Sequence, residues 1–290
     1  MKIQTFTIVA GTTACNAKCP YCISKMTPTQ GMHKKLQDVN WDNFSKACRM
    51  AQMNNVTTCL ITGKGEPMLF PDRLTEFLKE IKKYDFPIVE IQTNGLVVGK
   101  QYDKYEPFLK KWRKLVLNTI AISIVHYDRK KNKEIYTPNT EYMDLQEVIR
   151  KLHDLGYSIR LNCTMLKGYT DSIEEVKKLS EKAKEWNVEQ LTIRSVRTPS
   201  KSEDKEVFEW TKKRELTKGT LVDIDEYLRE NAHKLMTLDH GGIVYDLNGQ
   251  NLCISDCLTI KPDTEELRQL IFFPDGHLRY DWQYEGAILL

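Results

Sequence analysis

Three cysteines lie close together near the start of the chain, with the spacing C-x3-C-x2-C. They are Cys15, Cys19 and Cys22, in the stretch TACNAKCPYC. Cysteine thiolates are soft ligands that suit iron–sulfur clusters, which need several such ligands within one small volume. A loop that carries three of them can wrap a four-iron cube and leave the fourth iron without a protein ligand.

That open iron indicates a particular chemistry. It can chelate the amino and carboxylate groups of S-adenosylmethionine (SAM) and place the sulfonium beside the cluster. Electron transfer then yields methionine and a 5′-deoxyadenosyl radical, a reaction that side chains alone cannot perform. The triplet therefore predicts a [4Fe-4S] enzyme that is sensitive to oxygen and takes a hydrogen atom from a substrate.

Other interpretations of the triplet stay open at this point. A structural zinc site takes four ligands, and the nearest further candidate, His33, is eleven residues beyond Cys22. Buried thiols without a ligand role are common, although Asn, Lys and Pro neighbours argue against them here. The competing functions are a metal-binding interaction protein without turnover and an enzyme that uses SAM as a methyl donor.

Strands and helices alternate over the first two-thirds of the chain. Apolar periodicity predicts strands at residues 3–9, 57–62, 88–93, 119–125, 158–166 and 190–196, and helices at residues 41–54, 71–84, 105–116, 141–155 and 172–186. Such alternation implies a parallel sheet with right-handed crossovers. Because six β/α units are fewer than the eight of a closed barrel, we expect an α/β fold with a partial (β/α)₆ TIM-like barrel and its site at the strand carboxyl ends.

The alternation stops after residue 197. A charged stretch is followed by a predicted helix near residues 222–235 and by NGQN and PDGH, which are typical of hairpin turns. We therefore expect residues 1–197 to form the core and residues 198–290 to form a C-terminal α+β cap that contacts the substrate.

Composition limits the class of protein and its partners. The chain has 290 residues, 41% hydrophobic and 29% charged, which is ordinary for a soluble globular protein. A net charge of +3 is too small to indicate nucleic-acid binding. No apolar run approaches the roughly 18 residues of a membrane span, and the start of the sequence lacks the long apolar stretch of a secretory signal, so we expect a cytoplasmic protein with no membrane contact. In that setting the eight cysteines are thiols or metal ligands rather than a disulfide framework.

The cysteine triplet, with Tyr21 between its last two members, resembles the radical SAM superfamily signature C-x3-C-x-Φ-C, in which Φ is aromatic. The resemblance covers roughly residues 1–197. It implies that the residue at the place of Tyr21 contacts the adenine of SAM, largely through its main chain.

The turn TGKGEP at the end of the second predicted strand resembles the GGEP motif of the same family. Gly65, Glu66 and Pro67 match it, and Lys64 stands in place of the first glycine, while Gly63 before it keeps the turn flexible. The resemblance implies that the Glu66 carboxylate and main-chain groups receive the ammonium of bound SAM, through charge-assisted hydrogen bonds. Taken alone, the same letters also fit a plain turn with an exposed acid.

Four polar residues on later strands complete the expected cofactor site. Asn94 lies in the turn QTNG, and Ser123 can bond the SAM ribose. Asn162 and Arg194 resemble polar positions of the GTP 3′,8-cyclase and peptide-modifying branches, where they face SAM. Each residue also has a structural alternative. Asn94 can form a plain turn and Ser123 can be a hydrogen-bonded buried hydroxyl. Asn162 can be a hydrogen-bonded core residue and Arg194 a surface residue paired with an acid.

The substrate and the remaining cysteines are less well specified. Cys253 and Cys257 are either structural thiols or part of an auxiliary cluster, which usually draws on three or four nearby cysteines.

We favour a small molecule or nucleotide as the substrate, because no peptide-binding extension precedes the barrel. A peptide stays open as an alternative. The resemblance also implies an electron donor such as flavodoxin or ferredoxin.

Overall fold

The computed structural model describes residues 2–137, 139–238, 241–256 and 266–290. Its strands are β1 (Lys2–Val9), β2 (Thr58–Thr62), β3 (Ile88–Thr93), β4 (Thr119–Ile124), β5 (Ser158–Met165), β6 (Gln190–Ser195), β7 (His233–Thr237), β8 (Ile243–Leu247), β9 (Gln250–Asp256), β10 (Glu266–Phe272) and β11 (Leu278–Arg279). Its helices are α1 (Ile23–Met26), α2 (Trp41–Met53), α3 (Pro71–Ile81), α4 (Leu96–Lys100), α5 (Tyr102–Leu115), α6 (Arg129–Tyr136), α7 (Leu145–Asp154), α8 (Ile173–Glu185), α9 (Lys205–Lys212) and α10 (Lys218–Asn231), with a 3₁₀ helix at Pro67–Leu69. In these ranges no helix has the length and apolar character that a membrane span requires.

The strands form one sheet in the order β11-β10-β1-β2-β3-β4-β5-β6-β9-β8-β7. Pairing is parallel from β10 through β1 to β6 and on to β9, and antiparallel where β7, β8 and β11 join. The two ends of the sheet are not paired with each other in the described part of the chain. The predicted α/β fold with an incomplete barrel is confirmed.

The six strands predicted from periodicity are β1 to β6. The turn at Asn248-Gly249 also forms as predicted: both residues have positive φ and link β8 to β9 as an antiparallel pair. The helix predicted near residues 222–235 is wrong at its end. α10 stops at Asn231, and His233–Thr237 is strand β7, because this segment pairs with β8.

The C-terminal segment contributes strands to the same sheet as the barrel. β9 pairs in parallel with β6, and β10 pairs in parallel with β1, so the parallel part of the sheet is extended at both edges. α9 and α10 lie in the same segment. The division of the chain at residue 197 stays a prediction, since the two parts share one sheet.

The two faces of the sheet differ in polarity, as β5 shows. Its buried residues alternate with partly exposed ones, and the buried set is Ile159, Leu161, Cys163 and Met165. These apolar side chains belong to the main core, which includes buried residues of the surrounding helices. Arg160, Asn162 and Thr164 point to the opposite, concave face, where solvent reaches them. The concave face is therefore polar and accessible.

Candidate functional site

The cysteine triplet lies on the loop between β1 and α1, at the carboxyl ends of the parallel strands. Cys15 is exposed, Cys19 and Cys22 are partly buried, and all three are free thiols. Cys22 is also the N-cap residue of α1. The loop thus presents its three thiols from a position at the rim of the barrel, as the sequence predicts for a site at the strand ends.

Neighbouring strand ends hold this loop in place. The Glu66 N–H donates to the Ala14 carbonyl oxygen at 2.9 Å, and Asn94 Nδ2 donates to Asn16 Oδ1 at 2.7 Å. Asn94 Nδ2 is also 3.8 Å from the Cys15 sulfur. The motifs that follow β2 and β3 are therefore brought into direct contact with the cysteine loop.

The thiols interact electrostatically with one another. Burial raises the pKa of the Cys19 thiol, and charge on Cys22 and Cys15 raises it further. Such thiols stay protonated at neutral pH unless a positively charged metal centre replaces their protons. Three free thiols on one loop are a donor set that suits an iron–sulfur cluster.

A site for a single metal ion is a different matter. In the described ranges no group of three or more His, Cys, Asp or Glu side chains is arranged to hold one ion. This finding concerns one ion. The donor chemistry of three free cysteine thiols on one loop is what fits an iron–sulfur cluster.

Glu66 is fully enclosed and uses its carboxylate within the chain. Oε1 accepts hydrogen bonds from the Met68 N–H at 3.0 Å and the Thr93 hydroxyl at 2.7 Å, and Oε2 accepts from the Asn94 N–H at 2.8 Å. Burial raises its pKa, and these three donors oppose the rise. A carboxylate can accept about four hydrogen bonds. Glu66 therefore ties the turn after β2 to the end of β3, and contact with the SAM ammonium stays a prediction.

We expect Glu66→Gln to destabilise the protein by about 1–3 kcal/mol, since the new amide NH₂ must face a backbone or hydroxyl donor. The measurement is urea unfolding followed by circular dichroism. Glu76→Gln is the matched control. Glu76 pairs with Arg73 at 2.9 Å with half its side chain exposed, so its loss should cost less than about 0.5 kcal/mol. Equal costs for both variants would contradict this role of Glu66.

The glycines of the same turn meet a steric requirement. A Cβ on Gly65 would overlap the Ala14 carbonyl group and lie 2.8 Å from the Thr12 carbonyl oxygen. A Cβ on Gly63 would lie 3.0 Å from the Gly65 carbonyl oxygen, which is also tight. Pro67 begins the 3₁₀ helix that follows. The turn thus approaches the cysteine loop more closely at Gly65 than a side chain permits.

Ser123, Asn162 and Arg194 share the concave face of neighbouring strands. Ser123 is the register partner of Asn162 across β4 and β5, and Arg194 of β6 is the partner of Thr164. Asn162 Oδ1 and Arg194 Nε are buried and have no hydrogen-bond partner within the protein. Buried polar atoms normally have partners, so these two indicate a bound ligand or water.

Two more charged residues lie further back along the same face. Arg160 Nη1 is 2.9 Å from Glu90 Oε2, although that oxygen forms no aligned hydrogen bond, so the attraction is chiefly Coulombic. Glu90 is almost fully buried. Burial raises its pKa, and the charges of Arg160 and Arg194 oppose the rise. The two guanidinium groups of Arg160 and Arg194 thus outnumber the one carboxylate that they act on.

Tyr21 directs its side chain into the protein. Its hydroxyl is 2.8 Å from the Tyr136 hydroxyl, and its ring lies 6.5 Å from that of Trp210 in α9. The Lys18 N–H donates to the Tyr136 carbonyl oxygen at 3.0 Å. The side chain is thus engaged by protein groups, which leaves the main chain of Tyr21 for the predicted contact with adenine.

Sequence reasoning missed Tyr136 and Trp210 as neighbours of the cysteine loop, since no local pattern marks residues that approach only in the fold.

The sequence left two interpretations of Cys253, a structural thiol or a ligand of an auxiliary cluster. It is partly buried on β9 and is the register partner of Thr192. Cys257 lies outside the described residues.

Comparison with known proteins shows similarity over the barrel. The Radical SAM superfamily matches residues 9–183. GTP 3′,8-cyclase of Aquifex aeolicus is 24% identical over 161 residues, which cover 55% of this chain and 47% of the relative. GTP 3′,8-cyclase of Chlorobaculum tepidum is 28% identical over 192 residues, covering 64% and 51%. The chain thus spans about half the length of these curated relatives.

Solved structures show the same fold at low identity. Streptococcus suis SuiB bound to S-adenosylmethionine aligns with a TM-score of 0.64 at 13% identity, covering 99% of this chain and 62% of SuiB. Native anSMEcpe with bound AdoMet aligns with a TM-score of 0.54 at 13% identity, covering 99% of this chain and 77% of anSMEcpe. At such identity the likeness concerns the fold alone.

Proposed function

Because the chain belongs to the radical SAM superfamily and is an enzyme that uses a [4Fe-4S] cluster and SAM, we propose that Cys15, Cys19 and Cys22 ligate that cluster. When bound, the reduced cluster cleaves SAM and supplies a 5′-deoxyadenosyl radical, which takes a hydrogen atom from a substrate. The observation that carries the proposal is the anchoring of the three-thiol loop by the strand-end residues Glu66 and Asn94.

The residues around the loop have separate tasks in this proposal. Gly63, Gly65 and Pro67 shape a turn whose main chain receives the SAM ammonium, and Glu66 positions that turn. Ser123, Asn162 and Arg194 offer polar atoms on the concave face to the ribose and carboxylate of SAM. Two of these atoms have no partner within the protein, which supports a ligand there.

The substrate that we favour is a small molecule or nucleotide. The relatives named above are GTP cyclases. A structural neighbour, SuiB, is seen with a precursor peptide, so a peptide is an outcome that the substrate test must include.

The test is anaerobic reconstitution with iron and sulfide, followed by reduction, addition of SAM and assay for 5′-deoxyadenosine by mass spectrometry. We expect cluster absorption and this product. No cluster and no product would reject the proposal, and S-adenosylhomocysteine instead would indicate methyl transfer. Replacing the chemical reductant by flavodoxin or ferredoxin tests the expected cytoplasmic electron donor.

Arg194 offers a test of the SAM contacts. We expect Arg194→Met to weaken SAM binding at least about tenfold, since a hydrogen bond to a charged group contributes about 1.5–3 kcal/mol. Anaerobic calorimetry on cluster-loaded protein gives the dissociation constant. Arg229→Met is the control, because Arg229 is mostly exposed and pairs with Asp225 at 2.7 Å. Unchanged affinity in Arg194→Met would remove this residue from the SAM site.

A further inference from the structure

Lys64 is a charged residue with a buried side chain. It lies in the turn after β2, and only 7% of its surface is exposed. Its Nζ donates to the Thr27 hydroxyl at 2.5 Å and sits 5.5 Å from the centre of the Trp282 ring. Among the described residues no carboxylate forms an ion pair with it. Burial of an ammonium without an acid partner costs free energy, so a negative charge nearby would stabilise it.

The partner of Lys64 places it beside the cysteine loop. Thr27 is the C-cap residue of α1, and Cys22 is the N-cap residue of the same helix. The Thr27 hydroxyl donates to the Ile23 carbonyl oxygen at 2.9 Å, so it is tied to the helix. The five-residue separation spans ~7.5 Å along a helix. The ammonium is therefore bonded to the C-cap residue of the helix whose N-cap residue is Cys22.

The electrostatic setting agrees with this placement. Burial lowers the pKa of Lys64 to about 8, and the charge of Cys22 opposes that change. Lys64 stands where the GGEP motif has glycine, which brings no charge. A cation enclosed by protein is screened by salt much less than an exposed one. Its field therefore acts on whatever charge the cysteine loop carries.

We propose that the buried ammonium of Lys64 raises the reduction potential of the cluster on the cysteine loop, an inference that rests on the proposed function. Reduction adds one electron to a centre that already has three thiolate ligands. A fixed positive charge nearby stabilises the more negative, reduced form, since the attraction between opposite charges grows as water is excluded. Lys64 would thus ease reduction by the external electron donor.

The test is a redox titration of the cluster-loaded protein, followed by electron paramagnetic resonance. Lys64→Gln removes the charge and keeps a group that can bond Thr27. We expect the ratio of reduced to oxidised cluster at a fixed potential to fall at least about tenfold, which is about 59 mV for a one-electron couple. Lys64→Gly, the residue that the motif has there, should shift the potential in the same direction if the glutamine variant does not assemble.

Lys25→Gln is the matched control. Lys25 lies in α1, and its charge lowers the pKa of Cys19, but its side chain is exposed. We expect a much smaller shift, because solvent screens this charge. An unchanged potential in both Lys64 variants, or an equal shift in Lys25→Gln, would overturn the inference. Failure of the proposed function is distinct, since the wild type would then bind no cluster.

Discussion

Cys19→Ala is expected to abolish cluster binding and reduce 5′-deoxyadenosine formation to background. The loop offers three thiolates in the proposed site, so the loss of one leaves two irons of the cube without a protein ligand. Mutation of a residue that only hydrogen-bonds to a metal ligand already lowers metal affinity about 10–100-fold. Removal of the ligand itself should therefore exceed about 100-fold. Cluster binding is measured from the iron and sulfide content and from the absorption bands of the cluster. The product is measured by the 5′-deoxyadenosine assay.

Cys48→Ala separates this effect from the general cost of removing a thiol. Cys48 is fully buried in α2, where it belongs to the apolar core. Its replacement should lower stability modestly through lost packing, while iron content and product formation stay at the wild-type level. A Cys19→Ala protein that still bound four irons per chain, or a Cys48→Ala protein that lost them, would contradict the assignment of ligands.

Gly65→Ala is expected to have the second largest effect. The added methyl group would overlap the Ala14 carbonyl, which belongs to the cysteine loop and accepts the Glu66 N–H. The atoms that the methyl group would meet, in Ala14 and Thr12, are backbone atoms. The clash can therefore be relieved only if the loop moves. We expect lower iron content after reconstitution and at least about tenfold less 5′-deoxyadenosine, with a loss of stability of about 1–3 kcal/mol.

Gly219→Ala provides the control for a glycine substitution. Gly219 lies in the first turn of α10, and a Cβ there would meet only the Thr217 hydroxyl at 3.8 Å. Alanine in a helix is favoured over glycine by roughly 0.5–1 kcal/mol, so this variant should be as stable as the wild type or more so. If Gly65→Ala matched the wild type in iron content, the close approach of turn and loop would not matter for the cluster.

Much of the barrel was predictable because its signals are local. Alternating apolar residues in β5 and the spaced apolar residues of α2 depend only on the period of each element. The spacing of Cys15, Cys19 and Cys22 is equally local, since one loop carries all three. The family resemblance added the turn after β2, whose Gly65 and Glu66 lie against that loop in the fold.

Pairings between distant segments were not predictable in the same way. The addition of β9 and β10 to opposite edges of the parallel sheet depends on contacts across more than 50 residues, and no local pattern encodes them. The end of α10 was misplaced for the same reason, since pairing with β8 overrides the helical preference of residues near 233.

The sequence by itself determined the class of chemistry, because ligand type and spacing on one loop are properties of the chain alone. Only the tertiary structure decided how the carboxylate of Glu66 and the ammonium of Lys64 are used. The Glu66 carboxylate accepts hydrogen bonds from Met68, Thr93 and Asn94. The Lys64 ammonium is buried against Thr27 and Trp282. The residue type determines the charge of a side chain, whereas its burial and its hydrogen-bond partners depend on residues that folding brings together.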